Sequence, residues 1–209
     1  MNAKDRVIIA LDVETEEKAL GLVRRLKGVV GCFKVGLELF SSCGPGIVEK
    51  VRREGGEVFL DLKFHDIPNT VAKASAAVTG LGAFMFNMHA LGGYEMMVSA
   101  ADAVKKEASR LKIKKPLLIA VTILTSTDEL GLKRIGINDS IESGVLRLTL
   151  LAKEAGLDGV VASAREAKSI REAAGKDFII VTPGGRPAGA GVGDQKRVAS
   201  PADAVRDGA

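Results

Sequence analysis

Seven short apolar, β-branched runs recur along the chain, and segments of helical period separate them. This alternation constrains the fold more than any other feature of the sequence. The runs lie near 6–11, 32–36, 57–63, 84–89, 117–122, 159–162 and 178–182, and the helical segments at 15–26, 44–54, 69–81, 92–111, 140–155 and 164–173. In the first helical segment Ala19, Leu22, Val23 and Leu26 recur on one face, with Glu16, Lys18, Arg24 and Arg25 on the other. Thr15 is placed to cap it, and Glu16 and Glu17 suit the positive end of the helix dipole. Strands that alternate with helices imply a parallel sheet covered by helices, an α/β fold.

Two architectures compete, an open doubly wound sheet and a closed (β/α)8 TIM barrel. The strand ends favour the barrel. Val7-Ile8-Ile9-Ala10-Leu11-Asp12, Phe33-Lys34-Val35-Gly36 and Phe59-Leu60-Asp61-Leu62-Lys63 each carry a charge at or near the carboxyl end, where barrels assemble their active sites. A dinucleotide-binding fold instead places a glycine-rich turn after its first strand, and Asp12-Val13-Glu14-Thr15 is not one. No low-complexity linker interrupts the series, so residues 1–209 read as a single barrel domain. The seventh run is followed by a long loop, a short helix at 201–206 and the last residue, Ala209. A further strand and helix need on the order of 20 more residues. The expectation is therefore a barrel whose eighth β/α unit is missing, in a chain cut short.

Composition narrows the class. Hydrophobic residues make up 46% and charged residues 27%, with no Trp, so Val, Ile, Leu and Ala must fill the core. The apolar runs are too short to span a bilayer, and no signal-peptide pattern opens the chain. Cys32 and Cys43 have no metal-like spacing and read as reduced thiols of a cytoplasmic protein. A net charge of +4 is too diffuse to indicate nucleic acid.

The third strand holds the sharpest chemical signal, Asp61-x-Lys63-x-x-Asp66. Strand periodicity puts Asp61 and Lys63 on one face and Leu60 and Leu62 on the other. Lys34 comes from the preceding strand at matching depth. Two carboxylates and two ammonium groups at a barrel mouth can alternate, each ion stabilised by its neighbours, and so keep a protonated lysine available as an acid. A purely structural ion-pair cluster is the competing reading.

The stretch Asp61-Leu62-Lys63-Phe64-His65-Asp66-Ile67-Pro68-Asn69-Thr70 resembles the signature of orotidine 5′-monophosphate decarboxylases. Ala10-Leu11-Asp12, Phe33-Lys34-Val35-Gly36, Asn87-Met88-His89-Ala90, Val121-Thr122-Ile123-Leu124-Thr125-Ser126 and Thr182-Pro183-Gly184-Gly185-Arg186-Pro187 agree with it, in order, as does Asp194-Gln195. The likeness covers essentially the whole chain.

The resemblance implies a cofactor-independent, metal-free carboxy-lyase that makes UMP, the last step of de novo pyrimidine nucleotide synthesis. It implies that Lys63 protonates C6, that Asp61 lies against the substrate carboxylate, and that Lys34 and Asp66 complete the network. It also implies a homodimer with shared sites, in which Asp66, Ile67 and Thr70 reach the partner's substrate. Asp12 then holds ribose hydroxyls, Thr125 the pyrimidine edge, and Arg186 and Gln195 the phosphate, on the loop that Pro183 opens. Loss of carbon dioxide leaves a C6 carbanion with no conjugated sink, so the stabilisation has to be electrostatic. Neither a nucleic acid nor a membrane is an expected partner.

Other residues carry less. His65 reads as a structural or interface histidine and His89 as a hydrogen-bonded rim residue. Two departures from the family pattern stand out. Gly185 replaces a larger aliphatic residue, and no Gly-Arg pair of an eighth strand is present to grip phosphate. Two rivals remain: a magnesium-dependent sugar-phosphate decarboxylase or aldolase with the same Asp-x-Lys-x-x-Asp core, and an inactive truncated nucleotide-binding fragment.

Overall fold

The structure is a computed structural model that describes residues 2–185 and 201–209. Its strands are β1 (Ile8–Ala10), β2 (Cys32–Gly36), β3 (Val58–Phe64), β4 (Met85–His89), β5 (Leu117–Val121), β6 (Gly159–Val161) and β7 (Ile179–Val181). The helices are α1 (Glu16–Leu26), α2 (Leu37–Cys43), α3 (Gly46–Arg53), α4 (Pro68–Leu81), α5 (Tyr94–Leu111), α6 (Glu129–Arg134), α7 (Ile141–Glu154), α8 (Ala167–Ala174) and α9 (Pro201–Arg206). The strand–helix alternation is that of a (β/α) barrel with seven strands, and no eighth strand occurs among the described residues.

The chain divides into two compact units, Met1–Asn87 with Ser99–Leu118, and Met88–Val98 with Ile119–Ala209. In the first unit β1 pairs parallel with β2, and β2 with β3. Phe84 N–H then donates to Val58 O and Leu117 N–H to Phe84 O, each at 2.9 Å, so the order continues through β4 to β5. Phe33, Val35, Val58 and Leu60 from the sheet are buried with Val23, Ile47 and Val51 from the helices. Consecutive residues are buried on both faces of β2 and at the start of β3, which is why these read as apolar runs rather than strict alternations, whereas Ile8 and Ile9 of β1 are half-buried and Ala10 is exposed. In the second unit β5, β6 and β7 pair parallel, with Ile119 level with Gly159 and Gly159 with Ile179. Ile119, Val121 and Val160 are buried there with Val145 and Ile170.

Local signals account for most boundaries. Thr15 accepts from Lys18 N–H and caps α1, and Ser140 does the same for Ser143 N–H at the start of α7. Pro68 opens α4 at a position where a missing N–H costs nothing. The helical segment expected at 44–54 is α3, and a further helix that was not expected, α2, precedes it. α2 begins directly at the end of β2 and is closed by Gly44, at φ 69. A short helix, α6, occupies part of the stretch between β5 and α7, where no helix was expected. Asp128 caps it by accepting from Gly131 N–H at 2.9 Å. The helix expected at 201–206 is α9. Arg171 of α8 donates to Gly208 O just beyond it, and to the Gly175 and Phe178 carbonyls.

Cys32 is buried in β2 and Cys43 is partly exposed, both free. Desolvation, above all, pushes the Cys32 thiol up to about 12, so it behaves as a small apolar core residue.

Gly159 is the tightest point between β6 and β7. A Cβ there would lie 2.3 Å from Ile179 O and 2.6 Å from Ile179 Cβ. Backbone that is itself paired in the ladder cannot move aside cheaply. Gly159→Ala is therefore expected to cost about 1–3 kcal/mol and to lower the thermal midpoint by several degrees. An unchanged melting curve would show that the β6–β7 pairing is looser than described.

Candidate active site

Parallel register brings the first three strand ends level. Ala10 lies beside Lys34 and Lys34 beside Phe59, while Gly36 lies beside Asp61. Two residues past Ala10, Asp12 follows the end of β1 and is exposed. Lys34 Nζ donates to Asp12 Oδ1 at 3.0 Å and stands 3.7 Å from Asp61 Oδ2. Lys63 Nζ donates to the other oxygen of the same carboxylate, Asp61 Oδ1, at 2.7 Å. The sequence Asp12–Lys34–Asp61–Lys63 is thus an alternating line of charge across three adjacent strands.

Burial is graded along this line. The side chains of Asp61, Lys34 and Lys63 are 13%, 22% and 28% exposed, and that of Asp12 is 68% exposed. Screening by water makes the Asp12–Lys34 pair worth little to stability. Asp61 is the better shielded ion, and each of its oxygens faces an ammonium group. Its position between two cations keeps the pairing from leaving an uncompensated charge.

Two contributors carry no charge, and the sequence reading assigned neither a role. Gly36 is level with Asp61, and a Cβ at Gly36 would stand 3.0 Å from Lys34 Nζ. The missing side chain leaves the space in which the ammonium lies. Asn87, at the level of the site on β4, is fully buried. Its Nδ2 donates to Asp61 Oδ1 at 2.6 Å and its Oδ1 accepts from Lys63 N–H at 2.8 Å. Lys63 has φ 54, a left-handed conformation that costs a non-glycine residue about 1–3 kcal/mol and persists only where its surroundings enforce it. Asn87 supplies part of that enforcement. Simple strand alternation placed Asp61 and Lys63 on one face but gave no sign of this backbone kink.

Asp66 is not part of the line within its own chain. It is exposed, and its Oδ1 accepts from Ile67 N–H at 2.6 Å at the entrance to α4. Ile67 is 67% exposed, an unusual position for a large aliphatic side chain, and Thr70 is exposed beside it. Thr125 is buried just after β5, and Pro183 is half-buried just after β7. Arg186 and Gln195 lie outside the described residues. His65 is exposed, and His89 is half-buried at the end of β4. Among the described residues no three His, Cys, Asp or Glu side chains converge as metal ligands.

The model of the orotidine 5′-phosphate decarboxylase / HUMPS family matches residues 5–209. The chain belongs to that family. It is 55% identical over 210 residues to the orotidine 5′-phosphate decarboxylase of Moorella thermoacetica, covering all of this chain and 83% of that one. It is 53% identical over 209 residues to the enzyme of that name from Geobacter sulfurreducens, covering 99% and 85%. Among solved structures, orotidine 5′-phosphate decarboxylase from Lactobacillus acidophilus superposes with a TM-score of 0.83 at 38% identity, covering 97% of this chain and 86% of that one. These likenesses bear out both the family and the barrel class read from the sequence.

If Asp61 is the ion that holds the line together, Asp61→Ala leaves two ammonium groups facing each other and a buried Asn87 donor unmet. We expect a loss of about 1–3 kcal/mol, read as a lower midpoint in urea. A midpoint equal to or above that of the parent chain would show that the cluster costs the fold more than it returns.

Proposed function

We propose that the chain decarboxylates orotidine 5′-monophosphate to UMP, with Lys63 as the acid that delivers a proton to C6. The observation that carries this reading is the Lys63 ammonium on Asp61, 2.7 Å away at the carboxyl end of β3. It occurs in a chain whose relatives of more than half identity bear the decarboxylase name.

The charges suit that reaction. As the bond to carbon dioxide breaks, an electron pair is left on C6 with no conjugated acceptor. A fixed ammonium group stabilises it more than it stabilises the neutral ring carbon of the ground state. Lys63 then gives up one proton to that carbon, and the lysine is left neutral beside Asp61. Asp61 also places negative charge near the departing carboxylate, and the repulsion falls as carbon dioxide leaves. This contribution ranks second, since ground-state destabilisation is a contested source of rate. Lys34 holds Asp61 from the other side, which keeps the carboxylate from swinging away from Lys63. No cofactor enters this scheme.

The remaining assignments rest on the motif match. Asp12 takes ribose hydroxyls, Thr125 the pyrimidine edge, and Pro183, Arg186 and Gln195 the phosphate loop. Asp66, Ile67 and Thr70 act in the site of a second copy of the chain. The outward position of Asp66 and the exposure of Ile67 support a dimer with shared sites. Location in the cytoplasm rests on the family likeness; among the described residues no helix is long and apolar enough to cross a membrane.

Lys63→Ala is expected to abolish product formation while UMP binding, measured by calorimetry, persists. Substantial residual turnover would remove Lys63 from the acid role. Mixing inactive Lys63→Ala and Asp66→Ala chains tests the shared site, because a hybrid dimer then contains one intact site. Partial recovery of turnover is the expected result, and none would return Asp66 to its own chain's site.

A further inference from the structure

The amide of Asn87 has two partners of opposite kind, and this fixes which way it faces. Lys63 N–H can only donate, so the amide oxygen must meet it, at 2.8 Å. The Asp61 carboxylate can only accept while ionised, so the amide nitrogen must meet it, at 2.6 Å. Asn87 has no measurable exposure, so water does not compete for either bond. One side chain therefore ties the backbone of the lysine to the carboxylate of its counter-ion. Asp61 Oδ1 receives both Asn87 Nδ2 and Lys63 Nζ, so moving the amide disturbs the carboxylate that the ammonium rests on. Across β4, β3 and β2 the charged groups around it are Asp61 and Lys63, with Lys34 beyond Asp61.

We infer that Asn87 is the positioning residue of the reaction. It holds Lys63 in its left-handed backbone conformation and the Asp61 carboxylate in the orientation that aims the ammonium group at the reacting carbon. Asn87 itself touches neither substrate nor proton. Its effect is on the geometry from which the proton is delivered, and so on kcat rather than on substrate affinity. The inference rests on the reading of Lys63 as the acid.

Two substitutions test it. Asn87→Ala removes both bonds, and kcat is expected to fall on the order of a hundredfold, the usual consequence of misplacing a reacting group by about an ångström. KM and UMP affinity should change far less. Asn87→Asp supplies the same shape with a carboxyl group. When protonated, it can donate to Asp61 and accept from Lys63 N–H as the amide does. When ionised, it meets Asp61 as a like charge. Its activity relative to the parent chain is therefore expected to be highest at acidic pH and to fall as pH rises, and a role confined to packing produces no such change. Parent-like kcat in Asn87→Ala would overturn the inference. So would a pH-independent activity ratio in Asn87→Asp, or loss of the fold in both variants, which would assign Asn87 to stability alone. Lys63→Ala assayed alongside separates the two readings. If it stays active the acid assignment fails, whereas an inactive Lys63→Ala with a parent-like Asn87→Ala overturns only the role of Asn87.

Discussion

The Asp61 carboxylate has three donors around it, and the geometry of the described site follows from their competition. Lys63 Nζ and Asn87 Nδ2 share one oxygen, and Lys34 Nζ approaches the other. A carboxylate with so little exposure is stable as an anion only when its lone pairs are met. Meeting them with two cations from neighbouring strands produces the alternating line of charge. The same requirement draws in a buried amide from β4. Each partner is where it is because parallel register sets the strand ends level, so the sheet and the site are one construction.

A cost accompanies that construction. The third strand carries a left-handed residue one position before its end, and that residue is the lysine on which the chemistry is proposed to depend. Strain of this kind persists where surrounding contacts over-determine it. Here the contacts are a buried hydrogen bond to the backbone and an ion pair to the side chain. A lysine held at both ends has few alternative positions for its ammonium group. That restriction lowers the reorganisation needed when charge develops on the substrate. Gly36 contributes from the opposite direction, by leaving empty the volume into which Lys34 extends.

The alternation of apolar runs and amphipathic segments made the strands legible to within a residue or two, because β2 to β6 bury residues on both faces and the helices mainly on one. Asp61, Lys63 and Lys34 were legible for the same reason: charges inside apolar runs stand out, and period two places the first two together. What the sequence did not disclose depends on contacts between distant segments. An asparagine within a β-strand looks like a weak strand residue until β4 is known to lie beside β3. The glycine at position 36 looks like a turn signal until the register sets it beside Asp61. The additional helix α2, closed by Gly44, and the short α6, capped by Asp128, rest on signals too local to stand out against the periodicity around them. The dimer contacts and the phosphate loop were read from family likeness, because neither hydrophobic period nor a cap marks a surface that meets a second chain or a phosphate.

The most direct measurement is the formation of UMP from orotidine 5′-monophosphate by the purified 209-residue chain in excess chelator, followed by the change in ultraviolet absorbance. Continuous turnover at a rate the chelator does not alter is expected, since the charge stabilisation comes from Lys63 and its partners. A folded chain that binds UMP yet forms none from the substrate, or one whose turnover stops with chelator and returns with magnesium, would contradict it.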